Sequence, residues 1–150
     1  MKTILILLLA YPLFTVAGES RDFSIESDTW FSIQTTGTGS VGIQDSNVTV
    51  KVNSSLVSGT DKSATNQTLT EIQVGIAYYK NKDDWLVAKL SKPQIINTVI
   101  NKNTKLSITP FTTSFKVPKN ILNQEHWVVF QMTIVDKNGK KSYVFAHEPD

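Results

Sequence analysis

The chain has 150 residues, no cysteine, and 15 basic against 13 acidic side chains. The missing thiol excludes disulfides, Cys-ligated zinc and thiol catalysis. The near balance of charge, with no basic run longer than Lys140-Lys141, gives no support to nucleic-acid or acidic-membrane binding.

Lys2 is followed by an apolar stretch, Ile4 to Phe14, and then by the small residues Ala17 and Gly18. One positive charge, a short apolar centre and small residues at its end describe a secretory signal peptide. The stretch falls short of the ~20 apolar residues that span a bilayer, and Pro12 interrupts it. Residues 1–18 are therefore expected to be cut off, with 19–150 forming one domain. The mature chain keeps 14 basic and 13 acidic residues, because only Lys2 is lost. A cysteine-free exported chain of this size points to a periplasmic or extracellular location without a stable membrane span.

Glu19 to Asp28 reads as a polar lead-in, with Phe23 and Ile25 in alternation. Thr29 to Gln34 is the first firm strand. Gly37, Gly39 and Gly42 then fall close together, as a flexible loop or bulged edge does. Their spacing matches neither the dinucleotide fingerprint nor a phosphate loop, and no helix follows. Asn47 to Asn53 alternates, with Val48, Val50 and Val52 on one face. Ser54 to Thr68 is polar and rich in breakers, which predicts a long surface loop. Asn47, Asn53 and Asn66 each begin an N-x-[ST] triplet, a glycan acceptor in a eukaryotic secretory pathway. In so Asn-, Ser- and Thr-rich a stretch, chance also produces such triplets.

Leu69 to Tyr79 is the next strand. Ile72, Val74, Ile76 and Tyr78 face inward, and Glu71, Gln73, Gly75, Ala77 and Tyr79 face out. A charged turn, Lys80 to Asp84, returns the chain as Trp85 to Leu90, a hairpin. Gln94 to Ile100 and Lys105 to Thr109 are short strand candidates. Phe111 to Val117 alternates until Pro118 stops it. Asn120 to Glu125 is a turn or one loose helical turn.

Trp127 to Phe145 is the clearest stretch. Two β-rich runs flank Asn138-Gly139, the dipeptide of a two-residue type I′ hairpin loop. That loop sets Ile134 opposite Tyr143 and Met132 opposite Phe145. Phe130, Met132, Ile134, Tyr143 and Phe145 then share one face. A slip of one residue would set Ile134 opposite Ser142 instead.

About seven or eight short strands spaced by turns predict an all-β, antiparallel sandwich. Phe130-x-Met132-x-Ile134-x-Asp136-x-x-Gly139 resembles the penultimate-strand pattern of fibronectin type III and related immunoglobulin-like domains. Phe111 to Val117, ended by Pro118, sits where the preceding strand of that family would. The resemblance implies an immunoglobulin-like sandwich and carries no activity with it.

Chemistry is sparse. His126 and His147 are the only histidines, and Glu125 and Glu148 adjoin them. The expected register brings His147 opposite Phe130, close enough to His126 for a two-His, two-carboxylate zinc set. The plainer reading is four solvated residues at one end of the domain. Asp83-Asp84 are consecutive and point apart, unlike the paired carboxylates of a glycosidase. Asp136-x-Asn138-Gly139 lacks the remaining ligands of a calcium loop. No catalytic residue, metal site or cofactor is expected.

Aromatic residues remain. Tyr79 faces out, and Trp85 lies across the turn from it. Together they are the candidate ligand-binding pair, able to stack on a sugar or anchor a protein. Trp30 and Trp127 are read as core. The sequence thus predicts a secreted, non-enzymatic interaction module for a protein or cell-surface partner. Its alternatives are a carbohydrate-binding module using Tyr79 and Trp85, and a small hydrolase or metal enzyme using His126 and His147.

Overall fold

A computed structural model describes residues 18–28, 32–60 and 66–149. Residues 1–17, where a leader is expected, and Thr29, Trp30 and Phe31 of the first expected strand lie outside the described residues.

The described chain is all-β with one short helix. Its strands are β1 (Glu19–Ser27), β2 (Ile33–Gln44), β3 (Asn47–Gly59), β4 (Gln67–Asn81) and β5 (Asp84–Leu90), then β6 (Gln94–Ile100), β7 (Lys105–Ser107), β8 (Phe111–Lys116), β9 (His126–Val135) and β10 (Lys141–His147). The helix α1 is a single turn, Lys119–Leu122. Ten strands are found among the described residues, more than the seven or eight expected. The polar lead-in is itself β1, because Phe23, Ile25 and Ser27 alternate into the interior. The expected loop from Ser54 is strand as far as Gly59, since Ser55 and Val57 turn inward and both flanks are paired.

All pairs are antiparallel, in the order β5-β4-β9-β10-β1-β2-β3-β7. β6 also pairs with β4, and β8 with β3. Among the described residues, β10 and β1 are linked by two residue pairs, Glu26 with His147 and Ser27 with Ala146. Side chains from strands that are not neighbours in the sheet meet in one core. Phe23 of β1 meets Phe130 of β9 edge to face, centroids 6.3 Å apart at 71°. The Thr35 hydroxyl of β2 donates to Met132 Sδ of β9. Val48, Val50 and Val52 join Ile72, Val74, Ile76, Phe130 and Met132 in one core. Each such side chain, fully buried, contributes ~1.5–3 kcal/mol.

The glycine run is neither a loop nor an edge. Gly37 and Gly39 lie inside β2, which is paired to β1 on one flank and β3 on the other. A Cβ on Gly39 would stand 2.7 Å from the Phe23 ring and 2.1 Å from the Lys51 carbonyl oxygen. One on Gly37 would stand 3.2 Å from the Phe130 ring. The two core rings fill the space that side chains would take. A shift of register between Thr38 and Gly39 marks a bulge there.

The β9–β10 turn is not a type I′ loop. Type I′ needs positive φ at both central residues, and here only Gly139 has it, at 79°. The Asp136 amide donates to the Lys140 carbonyl, and the Gly139 amide to the Asp136 carbonyl, each at 3.0 Å. This is a three-residue loop, a type I turn closed by a glycine bulge. Asp136 imposes it: its Oδ1 accepts the amides of Asn138 at 2.8 Å and Lys140 at 2.9 Å. The extra loop residue moves the register by one. Ser142 faces Ile134, Val144 faces Met132, and Ala146 faces Phe130. Val144 and Ala146 enter the core, while Tyr143 is 51% exposed. Tyr143 and Phe145 are therefore on the opposite face from the one expected.

Candidate functional site

The outer face of β4, β5, β9 and β10 carries the site. On β4, Val74 and Ile76 point into the core, so Ala77 and Tyr79 point out. On β9, Val128 and Phe130 point in, so Trp127 points out. Tyr79 pairs directly with Trp85 across the β4–β5 hairpin, as expected. The shifted register of β10 delivers Phe145 and His147 to this same face.

These side chains meet. The Tyr79 and Trp127 rings lie 4.8 Å apart, inclined at 55°. Trp85 stands edge-on to Trp127 at 6.1 Å and perpendicular to Phe145 at 5.6 Å. His147 lies 6.4 Å from Trp85. Such ring pairs contribute ~0.5–1.5 kcal/mol each beyond their burial. Asp28, Tyr79, Trp85, Trp127 and His147 line a cleft of about 280 Å³. His147 Nδ1 lies 2.8 Å from the Glu148 carbonyl oxygen. A carbonyl only accepts, so Nδ1 donates this bond.

The structure thus brings together both sequence-predicted site residues and adds four more, Asp28, Trp127, Phe145 and His147. Trp127 is not core. The signal was present: alternation through Val128, Phe130, Met132 and Ile134 leaves Trp127 on the other face. Phe145 and His147 could not be found the same way, because their placement depends on the turn.

The adjoining cleft, about 270 Å³, is lined by Arg21, Glu125, His126, Trp127, Glu148 and Pro149. Arg21 clamps Glu148 with both terminal nitrogens, Nη1 on Oε1 and Nη2 on Oε2. The Val128 amide donates to Glu148 Oε2 at 2.8 Å. The hydrogen bond to Glu148 raises the Arg21 pKa above its ordinary value, with burial pulling the other way. The ion pair pins the C-terminal segment onto β1 and β9.

His147 faces Val129 rather than Phe130, so it lies on the outer face. His126 is an odd number of residues from Val129 and falls on the inner one. His126 Nδ1 is bonded to the Gln124 carbonyl at 2.9 Å. The two histidines do not converge. Among the described residues no group of three or more His, Asp or Glu side chains could hold a metal ion. Asp83 and Asp84 are exposed at the tip of the β4–β5 hairpin. Asn47, Asn53 and Asn66 are all exposed.

A larger hollow, about 480 Å³, lies beside the β3 bulge. Its walls mix short hydroxyl side chains such as Ser24, Thr36 and Ser54 with the apolar Leu56, Ile108 and Pro110, and Glu26 is the sole charge lining it among the described residues. The buried Ser55 hydroxyl there has no hydrogen-bond partner. No aromatic side chain lines it, so it offers no stacking surface.

No helix among the described residues is long and apolar enough to cross a membrane. No protein-family model, curated protein or solved structure matches the chain.

Proposed function

We propose that this chain is an exported, non-enzymatic interaction module whose partner, a protein or cell-surface structure, docks on the aromatic cleft. The convergence of Tyr79, Trp85 and Trp127 around one cleft carries this reading. Large aromatic side chains at a partly open surface dominate binding energetics where they occur. Export is supported by the leader-like first residues and by the position of β1. That strand begins at Glu19, immediately after the expected cut. The immunoglobulin-like reading of the fold belongs with this proposal. It is supported by the contact of Phe23 with Phe130, from strands that are not neighbours in the sheet, and by a β1–β10 ladder of two residue pairs among the described residues.

Affinity capture from a cell-envelope or host-surface extract tests the reading. Wild-type protein should retain a specific partner, and Trp85→Ala should lose it. Retention unchanged in Trp85→Ala removes the cleft from the account. A second reading, a carbohydrate-binding module, is favoured by the direct pairing of Tyr79 with Trp85. A glycan array on which wild type and Trp85→Ala give the same signal would end it.

A further inference from the structure

The rings of the cleft are inclined to one another. Tyr79 stands at 55° to Trp127, and Trp127 at 63° to Trp85. Stacking on a sugar needs an open, flat ring face. Rings set at such angles instead wall in a small volume. At about 280 Å³ the cleft falls just below the roughly 300–1,000 Å³ of drug-sized sites.

The lining is electron-rich throughout. Aromatic faces carry the negative lobe of the ring quadrupole. Asp28 brings a carboxylate to the same cleft. Among the described residues no Lys or Arg lines the cleft. Arg21, in the adjoining cleft that shares Trp127, is already paired with Glu148. A small, aromatic-walled space with one carboxylate is built for a weakly hydrated organic cation.

We propose that the cleft takes a quaternary ammonium group, held against Trp85, Trp127 and Tyr79 by cation–π attraction, with Asp28 as counter-ion. This deepens the binding-module reading and rests on it. The group's source is either a free choline-type ion or the headgroup of a phosphocholine lipid. Both present the same trimethylammonium.

The test is an NMR titration of the purified protein, following its indole N–H signals. Choline is compared with 3,3-dimethylbutan-1-ol, its uncharged carbon isostere. Choline should shift the indole signals and bind about ten-fold more tightly than the isostere. Trp85→Ala and Asp28→Asn should each weaken choline by a similar factor. Asp28 is exposed, so its variant folds even where the indole variant does not. Co-sedimentation with phosphatidylcholine vesicles, competed by choline, identifies the headgroup as the source. Choline binding without co-sedimentation identifies the free ion. Equal binding of choline and isostere, or no choline binding by wild type, overturns the cation assignment. If Trp85→Ala still abolishes partner capture in that case, the cleft stands as a binding site of another chemistry. If neither choline nor capture depends on Trp85, both readings fall.

Discussion

The indole of Trp85 stands perpendicular to the ring of Phe145, their centroids 5.6 Å apart. Trp85 is on β5 and Phe145 on β10, with β4 and β9 between them in the sheet. The contact therefore bridges two strands over the outer face and holds one wall of the cleft. A double-mutant cycle of Trp85→Ala and Phe145→Ala should show a coupling of ~0.5–1.5 kcal/mol. Urea unfolding of the four proteins measures it. Strict additivity would mean that the rings do not touch in solution.

Phe130 is fully buried and meets both Phe23 and the backbone of Gly37. It joins the two halves of the sheet, and no disulfide supports that joint. Phe130→Ala should cost ~3–5 kcal/mol. That is a large share of the ~5–15 kcal/mol available to a domain of this kind. Lys141, exposed at the start of β10, should change stability by less than ~0.5 kcal/mol when replaced by Ala. Comparable unfolding midpoints for the two variants would remove Phe130 from the core.

Local alternation carried most of the fold into view. Val48, Val50 and Val52 were readable as one face of a strand because nothing but a two-residue period explains them. Tyr79 and Trp85 were readable as neighbours for the same reason, with a short charged turn between them. The register of β10 was not readable from Asn138-Gly139 alone. The deciding group is the Asp136 carboxylate, which captures two amides and selects the longer loop. The glycines of β2 suggest a flexible loop or bulged edge in sequence because the rings that fill their space come from Phe23 and Phe130, the second far away in sequence. Likewise no local pattern announces that β10 touches β1 through two residue pairs. Trp127 was misplaced by its apolar character, although its position in the alternation was correct.

Gly39→Ala should destabilise by at least ~1–3 kcal/mol, the cost of overpacking. The added methyl would lie 2.7 Å from Phe23 and 2.1 Å from a backbone carbonyl oxygen, which cannot swing aside. Gly42→Ala is the control, because a Cβ there meets nothing within 4 Å. Thermal melts should separate the two clearly. A Gly39→Ala melt like wild type would contradict the close approach of β2 and the Phe23 ring.

The β9–β10 turn makes a separable prediction. Gly139→Val should cost ~1–3 kcal/mol through backbone strain alone, since φ is positive and the surrounding space is empty. Asp136→Ala should cost ~1 kcal/mol by releasing the amides of Asn138 and Lys140. Amide hydrogen exchange checks the second directly. The Lys140 amide should lose protection in Asp136→Ala, and unchanged protection would place its acceptor elsewhere.

Phe145 and His147 join the aromatic cleft because β10 pairs with β9 in the register that turns them outward. Cross-strand nuclear Overhauser contacts measure that register directly. The account predicts contacts between Ser142 and Ile134, between Val144 and Met132, and between the Phe145 ring and the Trp85 indole. Contacts of Tyr143 with Ile134 and of Phe145 with Met132 would instead place both rings in the core and strip the cleft of its β10 side.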